Sequence, residues 1–338
     1  MAIMTKSIRH LINYLGGIYM KTAALRRTDK SQFRKESFWA RLKKNVVQNK
    51  GLYIMLIPVV AYYLIFHYEP MYGLQIAFKD FSFKKGILGS PWVGFKHFQD
   101  FFGSYYFWRL LGNTLRISIS NLLWGFPAPI ILAIMINEVR NVRFKKTVQT
   151  LTYLPHFISV VVVCGMIKDF LALDGPVNAI LQSFGMESIN FFAHGEYFTT
   201  IFVASDIWQQ LGWGTIVYLS ALIAIDPQLY EAARLDGAGK LRQIFSITLP
   251  SIMPTVVIMF ILRVGKVLSL GSEKIMLLYN PTTYQYADVI STFVYRKGLE
   301  DANYSYASAV GLFNALVNFI LLYSINRLSK KVSDSSLW

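Results

Sequence analysis

Six runs of apolar residues, each near the length needed to cross a lipid bilayer, constrain this chain more than any other feature. A hydrocarbon core of about 30 Å takes about 20 residues of helix at about 1.5 Å per residue. The runs cover 51–68 (GLYIMLIPVVAYYLIFHY, open to extension past Pro70), about 113–136, about 151–171, about 197–225, about 251–270 and about 304–325. Pro127 and Pro129 predict a kink in the second. Composition agrees. Of the 338 residues, 54% are hydrophobic and 16% charged, and the mean hydropathy of +0.39 exceeds what a soluble core needs, so the surplus is expected to face lipid. The fold class read from these runs is an all-α membrane protein with six transmembrane helices.

Positive charge sets the orientation. Residues 1–50 hold twelve Lys or Arg against Asp29 and Glu36, which is +10 of the chain's net +15. A basic flank before the first apolar run reads as a cytosolic tail facing anionic lipid, not as a nucleic-acid site. Arg140, Arg143, Lys145 and Lys146 lie between runs two and three, Arg234, Lys240 and Arg242 between four and five, and Arg327, Lys330 and Lys331 after six. These connections are expected in the cytosol, with both termini. Residues 172–196 contain no Lys or Arg, and 271–303 balance theirs with acids, so both are expected outside. The 69–112 connection carries five basic residues and fits less well, but long loops are weak votes. The divisions expected are a basic tail 1–50, a first helix and external loop 51–111, a five-helix core 112–328 and a cytosolic tail 329–338. LINYLGGIYM, 11–20, is too short and polar to span and has no cleavage site after it, so it reads as an interfacial or disordered tail, with Met20 a second start site. The lone Cys164 excludes an intrachain disulfide and a cysteine metal cage.

One water-loving segment interrupts the second half: IDPQLYEAARLDGAGKLRQIFSITLP, 225–250. Asp226 before Pro227 is a helix start, an acceptor side chain followed by a residue pre-set for the first turn. A helix is expected from Pro227 to about Leu235, a reversal at Gly237 and Gly239, and a second short helix that Pro250 ends. Ala232 and Ala233 let another backbone approach closely, and Glu231 offers a carboxylate to a cation on it. From the residues alone, a plain interfacial loop fits as well as a plug for a partner's socket.

EAARLDGAGKLRQIFSITLPSIMP, 231–254, resembles the EAA loop of the permease subunits of type I ABC importers. SALIAIDPQLYEAARLDGA is similar to the carbohydrate-uptake branch, and YGLQIAFKDFS (72–82), SPWVGFKHFQDFF (90–102) and ADVISTFVYRKGL (287–299) resemble Gram-positive permeases for complex or acidic oligosaccharides. The resemblance covers about residues 50–330. It implies the type I ABC importer permease fold, and a coupling helix, within a cytosolic loop 226–250, in which Glu231, Ala232, Ala233, Asp236 and Gly237 dock on an ATPase subunit. It also implies the partners: a second homologous permease in a heterodimer rather than a homodimer, a dimer of ABC ATPase subunits, an extracytoplasmic solute-binding protein and an oligosaccharide substrate.

The absences fit that role. The chain has no GxxxxGK[ST] phosphate loop, so ATP and Mg are expected in the partner ATPase, with no cofactor and no catalytic residue here. No HExxH helix occurs and the five histidines stand singly, so no metal site is expected; His156 reads as packed or hydrogen-bonded. A secondary transporter or channel uncoupled from an ATPase is the alternative, and a membrane glycosyltransferase a third, but a lone Asp206 is little support for an ion-coupled carrier.

Candidate path residues are Trp208, Gln209, Gln210, Trp213, Asn314 and Asn318, the aromatic faces and amides a sugar ring needs, with bundle-holding as their structural alternative. Arg263 and Lys266 are the sharper pair. With the fifth run starting near Met253, Arg263 lies about 15 Å deep and Lys266 a turn further out. A lone cation there costs about 2.5 kcal/mol or more, so both are expected to face the bundle interior. Either Lys266 pairs with Asp206 and Arg263 satisfies nearby carbonyls, or unwinding around Gly265 and Gly271 aims both cations at a cavity that binds uronate carboxylates.

Overall fold

The computed structural model describes residues 45–268 and 270–332; the readings made on residues 1–44 and 333–338 lie outside it. Among the described residues helices dominate, and the sole strand-like pairing is an isolated bridge between Lys79 and Trp92. Residues up to Tyr72 form one compact unit and those from Gly73 a second.

In the first unit, α1 (Lys50–Tyr63) runs through Pro58 and buries none of its residues. Ile54, Met55 and Ile57 are among its exposed side chains. Apolar side chains with nothing packed on them suit a helix whose solvent is lipid. A wide helical turn at Leu64–Tyr68 and a 3-10 stretch at Glu69–Phe78 prolong it, as the first apolar run allowed.

The second unit opens with the stretches around 79 and 92 locked together. Lys79 is buried, donates to the Ile87 carbonyl at 2.7 Å and lies 4.8 Å from the Trp92 ring centroid, while His97 Nε2 meets the Lys79 carbonyl at 3.0 Å. Next, α2 (Tyr106–Gly125) and α3 (Pro127–Glu138) form one run of 33 residues. Pro127 opens α3, where its missing N–H costs nothing.

The third apolar run is not one straight span. α4 (Val142–Tyr153), capped by Asn141, leads into a 3-10 turn at Leu154–Phe157, and α5 (Val160–Phe170) leaves at 101°. Ile158 (ψ 132°) and Ser159 (ψ 140°) are extended, and an extended pair cannot continue a helix. α6 (Phe198–Ile223) follows, a 26-residue helix packed on α2, α3 and α4.

The polar segment forms α7 (Pro227–Leu235) as expected, but the second short helix does not stop at Pro250. Helix continues from Lys240 through a wide turn at Ile244–Thr248 into α8 (Leu249–Val264), with Pro250 in its first turn. The helix ends at Val264 and resumes as α9 (Ser272–Leu278), and α10 (Tyr304–Val332) closes the chain.

By length and apolarity four helical runs can cross a bilayer (Lys50–Phe78, Tyr106–Glu138, Lys240–Val264, Tyr304–Lys331), or five with the bent pair of α4 and α5. α6 is not among them, because Asp206, Gln209 and Gln210 interrupt its apolar character at mid-length. It packs inside the unit: Tyr218, Leu219 and Leu222 join Ile130, Ala133 and Ile136 of α3 and Ile252 of α8 in one buried cluster. A second cluster gathers Phe101, Leu110, Ile290, Phe293 and Val310.

Candidate coupling and transport site

The polar loop is a capped helix with a built-in reversal. Asp226 accepts from the Gln228 N–H at 2.9 Å, satisfying a donor that the first turn leaves free. At the other end the Ala238 N–H bonds the Ala233 carbonyl at 2.8 Å and the Gly237 N–H bonds the Arg234 carbonyl at 3.1 Å, a Schellman closure. That closure needs a left-handed residue, and Gly237 has φ +74°. Glu231, Ala232, Asp236 and Gly237 are exposed and Ala233 is half-buried. Leu229, Leu235, Leu241 and Phe245 are exposed beside them, Leu235 at 90%. The loop is nevertheless tied to the helices. Lys240 Nζ lies 2.5 Å from Glu138 Oε2 at the end of α3, Tyr230 and Thr248 hydroxyls meet at 3.0 Å, and Gln243 donates to the Ala238 carbonyl at 2.7 Å. These bonds join the loop to the end of α3 and to the turn that precedes α8.

The gap between α8 and α9 forms a polar site. Its unwound backbone is satisfied by side chains from three elements: Asn318 accepts from the Leu268 N–H at 3.1 Å, Asn314 donates to the Leu268 carbonyl at 3.4 Å, Ser118 donates to the Val267 carbonyl, and Ser291 donates to the Leu270 carbonyl at 3.0 Å. Beside it is a cavity of about 280 Å³ bordered by Asn121, Phe202, Asp206, Arg263 and Lys266. Arg263 donates to the Asn121 side chain at 2.7 Å, and Asn121 in turn donates to Asp206 at 2.9 Å. Asp206 is paired with Lys274, at 3.7 Å, and not with Lys266 as one reading of the sequence expected. The break explains the exchange: α9 restarts with Lys274 buried on the Asp206 side, while Lys266 falls in the turn, exposed, with no ion pair among the described residues.

The other candidate path residues are dispersed. Gln209 is buried and donates to the Ile158 carbonyl at 3.2 Å, where the extended residues need a partner. Gln210 accepts from His156 Nδ1 at 2.9 Å, and the His156 ring stacks on Trp213 with centroids 4.4 Å apart. Trp208 borders a different, apolar cavity of about 560 Å³ with Val163, Phe170 and Tyr197. Among the described residues no group of three or more His, Cys, Asp or Glu could hold a metal ion.

Sequence reasoning passed over Asn121, Lys274 and the pair of Asp288 and Arg296. Asp288 is wholly buried, accepts two bonds from the Arg296 guanidinium at 2.9 and 2.7 Å, and accepts a third from Thr292 at 2.8 Å. Burial works against the Arg296 charge, but the hydrogen bonds and charge of Asp288 outweigh it and hold the guanidinium above its ordinary pKa. The available signal was that ADVISTFVYR carries one acid and one base in an otherwise uncharged stretch.

The family model described as binding-protein-dependent transport system inner membrane component matches residues 125–334. The chain belongs to this family. The match takes in α7, the broken helix and α10. As a binding-protein-dependent transport permease, the chain is a membrane component of an ABC importer in the cytoplasmic membrane. Among its relatives is the polygalacturonan/rhamnogalacturonan transport system permease protein YteP of Bacillus subtilis, 45% identical over 94% of this chain and 100% of that one. Protein LplB of the same organism is 43% identical over 89% of this chain and 94% of its own. A crystal structure of a bacterial ABC transporter involved in the import of the acidic polysaccharide alginate superimposes with TM-score 0.81 at 45% identity, covering 87% of this permease and 99% of that chain. A second, of a bacterial alginate ABC transporter with an alginate pentasaccharide-bound periplasmic protein, gives 0.82 at 43%, covering 89% and 100%.

Proposed function

We propose that this permease, paired with a second similar one, imports acidic oligosaccharides handed over by an external binding protein, driven by ATP and Mg in two separate ATPase subunits. In this reading the chain spans the membrane six times with both termini in the cytosol, and it performs no ATP chemistry itself. ATP binding closes the ATPase pair, the closure moves α7, and the ties from Lys240 to Glu138 and from Tyr230 to Thr248 carry that movement into α3 and α8, which alternate between outward- and inward-open states. Glu231 and Asp236 face the ATPase with charge, and Ala232 and Ala233 with a close backbone approach.

The observation that carries the substrate class is the cavity at the broken helix. Lys266 faces it without an acidic partner, and Arg263 is held there by a neutral amide, so the site carries positive charge that Asp206 and Lys274 leave unbalanced. A carboxylate entering would replace the Asn121 bond of Arg263 with a charged one, roughly twice as strong. The names of the relatives support the same class. The test is uptake of a uronate oligomer and a size-matched neutral oligomer by Arg263→Gln and Lys266→Gln variants. Selective loss of uronate uptake is expected; equal loss of both substrates would leave these cations structural.

A further inference from the structure

A second polar cavity, of about 500 Å³, lies between the first half of α2 and residues 285–286. It is lined by Tyr105, just before α2, and by Trp108, Arg109, Gly112 and Arg116 along it, one face of the helix over a rise of about 16 Å. Two guanidiniums line the space and no carboxylate does. The nearest acid, Asp288, is wholly buried and already takes both bonds of Arg296, so Arg109 stands 3.6 Å away as a second guanidinium on one carboxylate. Arg109 Nε is buried without a hydrogen-bond partner. Arg116 is exposed, has no ion pair among the described residues, and lies 5.9 Å from the Tyr286 ring. Trp108 is 75% exposed, so its ring face is free to lie against another ring. A Cβ at Gly112 would meet nothing within 4 Å, so this glycine, unfavourable in a helix by about 1 kcal/mol against alanine, leaves the cavity floor bare.

The far end of the same 33-residue run is Glu138, bound to Lys240 of the polar loop, so the cavity sits at the end of the run away from that loop. Asn121, which holds Arg263, comes about 8 Å further along α2 from Arg116.

We propose that this cavity is a receiving subsite for the acidic oligosaccharide on the outer side, where Arg116 and Arg109 bind a uronate carboxylate and Trp108 and Tyr286 flank the sugar ring. The inference rests on the substrate class proposed above. A planar guanidinium matches a carboxylate in two-point geometry, and a second one compensates the cost of taking the anion out of water.

The complete importer, reconstituted in vesicles with its binding protein, tests this with Arg116→Gln and Gly112→Leu, rates being taken per complex in the membrane. The first removes a charge from an exposed position and the second fills the floor without touching a charge. Both should lower uronate-oligomer uptake at saturating binding protein: Arg116→Gln by about tenfold, the worth of one charge-assisted bond, and Gly112→Leu several-fold, by occupying the space of the ring. Neutral-oligomer uptake by the two variants, and the binding-protein concentration giving half-maximal ATPase activity, should not move. Unchanged uronate uptake in both variants overturns the subsite alone. A raised binding-protein requirement with uptake restored at saturation also overturns it, making the cavity a docking face for that protein. Equal loss of neutral uptake removes its acid selectivity, and a wild type that imports neutral but not uronate oligomers overturns both this subsite and the substrate class.

Discussion

Two glycines show how differently one residue type can act. Gly237 has open space around its Cα, so a side chain there would meet no obstacle, and its constraint is the backbone, φ +74°. An L-residue in that region loses about 1–2 kcal/mol, more with a β-branch, and the Schellman closure of α7 loosens with it. Gly212 has ordinary helical geometry but lies against the Thr152 carbonyl, into which a Cβ would collide. Gly237→Val should therefore leave the amount of permease in the membrane near normal while reducing transport several-fold, and Gly237→Asn, which tolerates the left-handed region, should retain most of it. Gly212→Ala should instead reduce the amount of folded protein. Quantifying membrane-inserted protein alongside uptake separates the two. Normal transport by Gly237→Val would remove α7 from the coupling path.

At the scale of the element, the broken helix decides most. Leu268 is buried in an unwound turn, and its N–H and carbonyl are satisfied by Asn318 and Asn314 from α10. The two amides are unequal: Asn318 holds the N–H at 3.1 Å, whereas Asn314 reaches the carbonyl at 3.4 Å and leaves its own Oδ1 buried without a partner. Stranding a buried N–H costs about 1–3 kcal/mol, so Asn318→Leu should lower the thermal midpoint of the detergent-solubilised permease by several degrees and Asn314→Leu by much less. Equal shifts would mean that α10 does not hold the break together.

The same element marks where sequence reading succeeded and stopped. Apolar runs bounded by proline and glycine placed the helices at 198–223 and 227–235 within a few residues, because caps and run lengths are local properties. Unwinding around Gly265 and Gly271 was one of two readings left open, since the fifth apolar run continues to about 270 whereas the helix ends at Val264. The bend at Ile158 and Ser159 was not legible, since VVVVC continues the apolar run beyond it without a break in composition. Which lysine takes Asp206 was not legible either: Lys266 and Lys274 are eight residues apart, and only the geometry of the break turns one toward α6 and the other into the cavity.

For the whole molecule, the topology turns on α6, the long helix whose mid-length polar residues keep it outside the set apolar enough to cross a bilayer. Its mid-length polar groups have partners inside the protein: Gln209 is buried against Ile158, Gln210 is bound to His156 and Asp206 is paired with Lys274. A helix can therefore span while being too polar overall, provided neighbouring helices take up its amides and its charge. Whether it does so fixes which side of the membrane each loop occupies. Ser183 precedes α6 and Ser333 follows α10; between them lie α6, the run from Lys240 to Val264 and α10. Three crossings put the two serines on opposite sides, whereas α6 lying along the surface would leave two crossings and put them on the same side. In a Cys164→Ser background, which removes the buried native thiol, a cysteine at Ser183 should react with an impermeant thiol reagent in intact cells. A cysteine at Ser333 should react only after permeabilisation. If both cysteines react only after permeabilisation, the count falls to five and the 172–196 connection lies in the cytosol. Because that connection contains no Lys or Arg, such an outcome would also contradict the charge asymmetry of the short loops, so the reaction of Ser183→Cys tests the span count and the orientation together.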